Sequence, residues 1–140
     1  MTARVLTVGV FDLLHSGHLD LLDFCYDKAS PPRSVYILID SDRRVRELKG
    51  PSRPINTAEF RQRILLCMDG IVGVHIFDTI EEKEILIKQI KPNIFVKGGD
   101  YTPDKVLEKD LVESLGGKVL ICPFTEGCST TNIIEKMRKQ

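Results

Sequence analysis

Two of the chain's three histidines, His15 and His18, stand three residues apart around Ser16-Gly17 in the stretch "VGVFDLLHSGHLDLL" (8–22). At a helix start, two imidazoles can turn N–H groups toward one anion, and the glycine between them lets that anion approach the backbone. An H-x-x-H pair could also open a zinc site, but no third ligand of suitable spacing follows. The plain alternative is a pair of structural turn residues. Cations follow: residues 42–63 hold seven basic side chains against three acidic ones, a plausible polyphosphate cradle. Lys49, Arg53 and Arg61 are the candidates within it, because glycine, proline or a capped helix start fixes the chain beside each. Arg43, Arg44, Arg46 and Arg63 read instead as a solvated helix face. Near the other end, Ser129-Thr130-Thr131 offer hydroxyls and free N–H groups to a phosphate at a helix N-terminus, or simply cap that helix.

These residues need a frame that brings them together. Apolar runs at Val5–Val10, Val35–Ile39, Val72–Phe77, Ile94–Val96 and Val119–Cys122 read as strands buried on both faces. Helical patterns lie between them over His18–Tyr26, Asp42–Leu48, Thr57–Met68, Ile80–Ile90 and Val106–Leu115, and a last one carries Ile133, Ile134 and Met137. Thr79 with Glu82 fits a capping box and Asn56 with Glu59 resembles one. Thr102-Pro103 fits a helix start, and Gly116-Gly117 a stop. The alternation predicts an α/β domain: a five-stranded parallel sheet with right-handed crossovers and helices on both faces. In such sheets the ligand crevice lies beyond the carboxyl ends of the strands. The residues falling there are Asp12, His15 and His18; Asp40-Ser41-Asp42; "KGGD" (97–100); and "TEGCSTTN" (125–132).

The totals exclude several classes. At 140 residues the chain predicts one domain spanning 1–140. Twenty Lys and Arg balance twenty Asp and Glu, so nothing favours nucleic acid or an anionic membrane. The apolar runs are too short to cross a bilayer and the first residues lack a signal-peptide pattern, which predicts a cytoplasmic protein. Cys25, Cys67, Cys122 and Cys128 form no C-x-x-C pair. The first three read as small core residues, and Cys128 falls in a polar loop where a thiol could be reactive. There is no G-x-G-x-x-G after the first strand and no P-loop, which weakens dehydrogenase and P-loop NTPase readings.

With "GVFDLLHSGH", "DSD", "LKGPSRPIN", Arg61, "VKGGDY" and "GCSTTNII" in this order, the chain resembles the HxGH nucleotidyltransferase superfamily over nearly its whole length. Within it, it looks like the D-glycero-β-D-manno-heptose 1-phosphate adenylyltransferases. The resemblance implies a Rossmann-like three-layer α/β/α fold. It also implies transfer of AMP from ATP to a sugar 1-phosphate, giving an ADP-sugar and pyrophosphate. His15, His18, Lys49 and Arg61 would be catalytic. Val10, Phe11, Gly17, Lys97, Gly98, Gly99, Asp100, Ser129, Thr130 and Thr131 would bind the nucleotide, and Asp12, Asp40, Asp42 and Arg53 the acceptor. Magnesium is expected on the triphosphate with few protein ligands, Asp12 or Asp42 being candidates. The resemblance further implies a homodimer and a separate sugar kinase supplying the 1-phosphate. The chain departs from the family at "YDKASPPRS" after the first helix, which bears on the helix length and the dimer surface. Thr125-Glu126-Gly127 stand where the related glycerol-3-phosphate cytidylyltransferases carry an arginine, so the adenylyl branch fits better. Two readings stay open beside it: a CTP-dependent transferase acting on glycerol 3-phosphate, and a nucleotide-binding module without turnover.

Overall fold

The computed structural model describes residues 3–29, 34–123, 127 and 129–140. Five strands, β1 (Arg4–Gly9), β2 (Ser34–Asp40), β3 (Ile71–Phe77), β4 (Ile94–Gly98) and β5 (Lys118–Cys122), form one sheet in the order β3-β2-β1-β4-β5. All neighbours are parallel; Arg4 to Gly9 pair with Ser34 to Ile39, and Val5 to Thr7 with Ile94 to Val96. The chain winds outward from β1 to β3, then returns across the sheet to lay β4 on the other side of β1. The strand order therefore reverses between β1 and β4, where a doubly wound sheet opens its crevice.

Alternation along the strands sends side chains to two cores. Val5, Val35, Ile37, Ile39 and Val96 pack with Leu22 and Cys25 of α1 (Ser16–Lys28) and Leu65 of α3 (Ala58–Leu66). Leu6, Leu38 and Phe95 pack on the other face with Ile87 of α4 (Ile80–Ile90) and Val112 of α5 (Lys109–Ser114). The remaining helices are α2 (Asp42–Lys49) and α6 (Thr130–Arg138). The result is the three-layer α/β/α arrangement expected.

Several local expectations change. β3 is an edge strand with Val72 52 % exposed, so it is not buried on both faces. The helix expected over 106–115 shrinks to α5, because Pro103–Lys105 forms only a 3-10 turn and Thr102 makes no side-chain cap. Thr57, not Asn56, caps α3 through its hydroxyl and the Phe60 N–H. Thr79 does cap α4, and Glu82 reaches the N–H of Asp78, one residue before the cap. Cys25 and Cys122 are buried as expected, with burial pushing the Cys25 thiol up to about 12. Cys67, in contrast, is exposed at the end of α3. Cys128 and loop residues 124–126 lie outside the described residues. Among those described, no helix is long and apolar enough to cross a membrane.

Candidate active site

The turn from β1 into α1 is tightly constrained. Phe11 and Leu13 both adopt positive φ, 54° and 52°, a region that bulky L-residues avoid at a cost of about 1–3 kcal/mol each. Ties from three directions hold it. The carboxylate of Asp12, 1 % exposed, accepts the backbone N–H groups of Ile55 (2.6 Å) and Asn56 (2.9 Å). Arg61 donates to the carbonyl of Val10 at 2.9 Å, and the hydroxyl of Thr130 donates to the carbonyl of Asp12. Phe11 in turn closes over Gly9, where a Cβ would meet the ring at 2.9 Å.

This turn delivers the histidines. His15 is the N-cap of α1, its Nδ1 accepting the Gly17 N–H at 3.0 Å, while Nδ1 of His18 accepts the His15 N–H at 3.3 Å. The pair is thus a capping box made of imidazoles. A nitrogen that accepts a backbone N–H carries no proton, so each neutral ring bears its proton on Nε2 and offers that N–H away from the helix. The rings stack with centroids 3.9 Å apart, and Phe11 lies 5.1 Å from His18. Burial lowers the pKa of His15. Burial and then the charge of His15 push His18 down to about 4, against the opposing pull of Asp12. At neutral pH both are therefore uncharged Nε2–H donors.

Beside them lies a cavity of about 230 Å³ lined by Val10, Phe11, Asp12, His15, His18, Lys49, Arg53, Ser129, Thr130 and Thr131. The start of α1 and the start of α6 both face it, so two helix N-termini add their positive ends to the cations. The hydroxyls of α6 have assigned tasks. Ser129 caps through the Asn132 N–H, Thr130 ties down the β1–α1 turn, and Thr131 accepts from Arg53 at 3.4 Å. Thr130 thus spends its proton on Asp12, while the hydroxyls of Ser129 and Thr131, which only accept, keep theirs to offer an anion beside the first-turn backbone N–H groups. The buried Nε of Arg53 has no partner among the described residues, which leaves that donor open to a water or a ligand.

A second cavity, about 540 Å³, shares Val10 and Lys49 with the first and adds Asp40, Arg44, Lys97, Tyr101, Lys83 and Glu108 among others. Arg44 therefore belongs to a cavity rather than a solvated face, held by Asp40 at 3.0 Å and standing 5.1 Å from the Phe77 centroid. Arg43 does lie on the surface, paired with Glu47 and Asp78. A larger hollow of about 680 Å³ between α3 and β3 lies at the amino end of the sheet, with only Cys67 and Asp69 as titratable lining.

Other expected site residues are placed elsewhere. Arg61 does not face either cavity: its side chain is fully buried and donates to the carbonyls of Asn56, Val10 and Asp40 and to the Asp42 carboxylate. It is a strut joining β1, β2 and α3. Asp42 accepts from both Arg61 and the Ala58 N–H through Oδ1, so that oxygen holds the starts of α2 and α3 together, and the residue lines neither cavity. The Gly17 N–H is used by His15. Gly98 packs under Leu21, Gly99 takes a positive φ of 119°, and Asp100 is exposed; none of the three lines either cavity. Both oxygens of Asp12 accept backbone N–H groups, whereas the bonds to Asp42 fall on Oδ1 alone; no group of three or more His, Cys, Asp or Glu among the described residues could hold a metal ion. A magnesium ion here would arrive on the nucleotide, held by phosphate oxygens and water. Gly9, Lys83, Tyr101 and Glu108 carried no site expectation from the sequence, and Arg44, expected on a solvated face, lines a cavity. Lys83 left a signal, since it occupies an apolar position in the periodicity of Ile80 and Ile87.

The crevice at the strand-order reversal is thus ringed by imidazole donors, a lysine, an arginine and helix starts, groups suited to an anion. The chain belongs to the cytidylyltransferase-like family, whose model matches residues 6–136. It is 48 % identical over 134 residues to the bifunctional protein HldE of Trichlorobacter lovleyi, covering 95 % of this chain and 26 % of that protein. The HldE of Syntrophotalea carbinolica is 46 % identical over the same shares. The chain thus spans about a quarter of the length of the curated relatives it matches. Among solved structures, the lipopolysaccharide core biosynthesis protein of Thermoplasma volcanium shares the fold, with a TM-score of 0.69 over 89 % of this chain and 98 % of that one at 21 % identity.

Proposed function

We propose that the chain transfers AMP from ATP to a sugar 1-phosphate, D-glycero-β-D-manno-heptose 1-phosphate being the acceptor its sequence resemblance favours. The observation that carries this reading is the convergence of His15, His18, Lys49, Arg53 and the start of α6 on one cavity. A phosphate oxygen of the acceptor attacks the α-phosphorus; that P–O bond forms as the bond to the bridging oxygen breaks, and pyrophosphate leaves with the electron pair. Nucleophile and leaving group are already anionic, so no general base is required. What remains is alignment and neutralisation of charge on the α-phosphate and the departing pyrophosphate.

The residues divide that task. His15 and His18 donate through Nε2 without carrying charge, so they do not hold the product by a salt bridge. Lys49 belongs to both cavities and stands where the acceptor phosphate and the triphosphate must meet. Arg53 and the first turn of α6 receive the leaving phosphates. Of the two cavities that share Lys49, the larger, whose lining cations Arg44, Lys49, Lys83, Lys97 and Lys105 outnumber Asp40 and Glu108, takes the phosphorylated, hydroxyl-rich acceptor. A sugar kinase supplies that acceptor.

The test is pyrophosphate release with ATP or CTP against a panel of heptose 1-phosphate, hexose 1-phosphates and glycerol 3-phosphate. Release with ATP and the heptose phosphate is expected. Preference for CTP and glycerol 3-phosphate would replace this reading with the cytidylyl one, and tight ATP binding without release from any acceptor would leave a nucleotide-binding module.

A further inference from the structure

Lys83 occupies a core-facing position of α4, in step with buried Ile87, where an apolar residue is the ordinary choice. Its side chain is 7 % exposed and lies 3.4 Å from Glu108, also 7 % exposed, and its ammonium stands 5.5 Å from the Phe77 centroid. Withdrawing two charges from water for one long contact is a poor way to gain stability, since apolar residues of similar volume often do better. The pair also leaves hydrogen-bonding capacity unused. Oε2 of Glu108 is buried without a partner among the described residues, and of the three donors of an ammonium the carboxylate takes one.

Both residues line the larger cavity and not the histidine cavity. Lys49, common to the two, marks the phosphate end; Lys83 and Glu108 come from α4 and the segment entering α5, and therefore meet a different part of the acceptor. Rotation about the last torsion of a glutamate is soft, so one oxygen can turn to the cavity while the other keeps Lys83. We propose that Lys83 and Glu108 determine acceptor specificity by reading two neighbouring hydroxyls, one donating to Glu108 and the other accepting from Lys83. A vicinal diol on the sugar is the group that matches an acceptor beside a donor. The inference rests on the transferase reading and its assignment of the larger cavity to the acceptor.

The test compares the wild-type chain with the double variant Lys83→Met/Glu108→Leu, which removes both charges and leaves neither stranded. Pyrophosphate release is measured with heptose 1-phosphate and its monodeoxy analogues. The variant is expected to fold, keep its KM for ATP, and raise its KM for the heptose phosphate roughly ten- to hundredfold, the worth of a hydrogen bond to a charged group. One monodeoxy acceptor should penalise the wild type by a similar factor and the variant not at all, the mark of a direct contact. An unchanged acceptor KM, or equal penalties in both proteins for every analogue, overturns the proposal. If the double variant does not fold, Glu108→Gln, which retains an oxygen for Lys83, carries the same KM comparison. If the wild type releases pyrophosphate from no sugar phosphate, the transferase reading itself fails, and this inference with it.

Discussion

Replacing Arg61 with methionine separates a strut from a catalytic arginine. The substitution keeps much of the volume and deletes four donated hydrogen bonds, to the carbonyls of Asn56 (3.0 Å), Val10 (2.9 Å) and Asp40 (3.0 Å) and to Asp42 (2.9 Å). Removing one partner of a buried ion pair typically costs about 3–5 kcal/mol. Asp42 is 28 % exposed and can recruit water, which lowers its share, while the three carbonyls left unsatisfied add to the loss. For a domain near this size, about 2–4 °C per kcal/mol turns the same 3–5 kcal/mol into a fall in Tm of roughly 6–20 °C. Urea unfolding and a thermal scan measure it, and Arg61→Lys, which keeps the charge but not the fork, should fall between. An Arg61→Met protein that unfolds like the wild type yet loses turnover a hundredfold or more would refute the strut and return Arg61 to the phosphates.

The remaining predictions concern the ring of donors. By NMR, His18 should titrate near 4 rather than near 6.5. Because its folded pKa is depressed, its contribution to stability is complete above about 6.5 and is lost as pH falls toward 4, where the unfolded chain takes up a proton first; a midpoint at or above 6.5 contradicts the burial that keeps the ring uncharged. His18→Ala should fold and lose about a hundred- to thousandfold in kcat, measured as pyrophosphate release, whereas near-wild-type turnover removes it from the site. Gly9→Ala places a methyl 2.9 Å from the Phe11 ring and should shift His18 through Phe11. The expected loss of kcat is up to about a hundredfold with an intact circular dichroism spectrum, and unchanged kinetics would show the contact to be idle. Thr130→Val cuts the tie from α6 to Asp12 and should cost about 1 kcal/mol and raise the KM for ATP; no change in either would deny the tie any role.

The layout was readable because parallel strands announce themselves as short apolar runs, and because their carboxyl ends are where polar residues gather. His15 with His18, Lys49 with Arg53, and Thr130 come from three separate segments and line one cavity. What the sequence concealed is which polar groups face inward. Arg61, Asp12 and Asp42 have the residue types of a substrate site, yet the bonds of Arg61 and Asp12 hold a turn with two residues at positive φ and Asp42 braces Arg61, a need invisible until the backbone is seen. Histidine is not a preferred N-cap, so the imidazole capping box, which fixes the tautomer, had no sequence signal. Glu108 stands just before a helix expected to contain it and, with Lys83, lines a cavity, because a residue's periodicity gives its face but not its partner.

The most direct test of the central claim is a crystal structure with α,β-methylene ATP and magnesium. Nε2 of His15 and of His18 should both lie about 2.7–3.2 Å from oxygens of one triphosphate, with Lys49 and the first turn of α6 on the same phosphates. Phosphates bound outside the histidine cavity, or a ring turned so that Nδ1 meets the nucleotide, would contradict it.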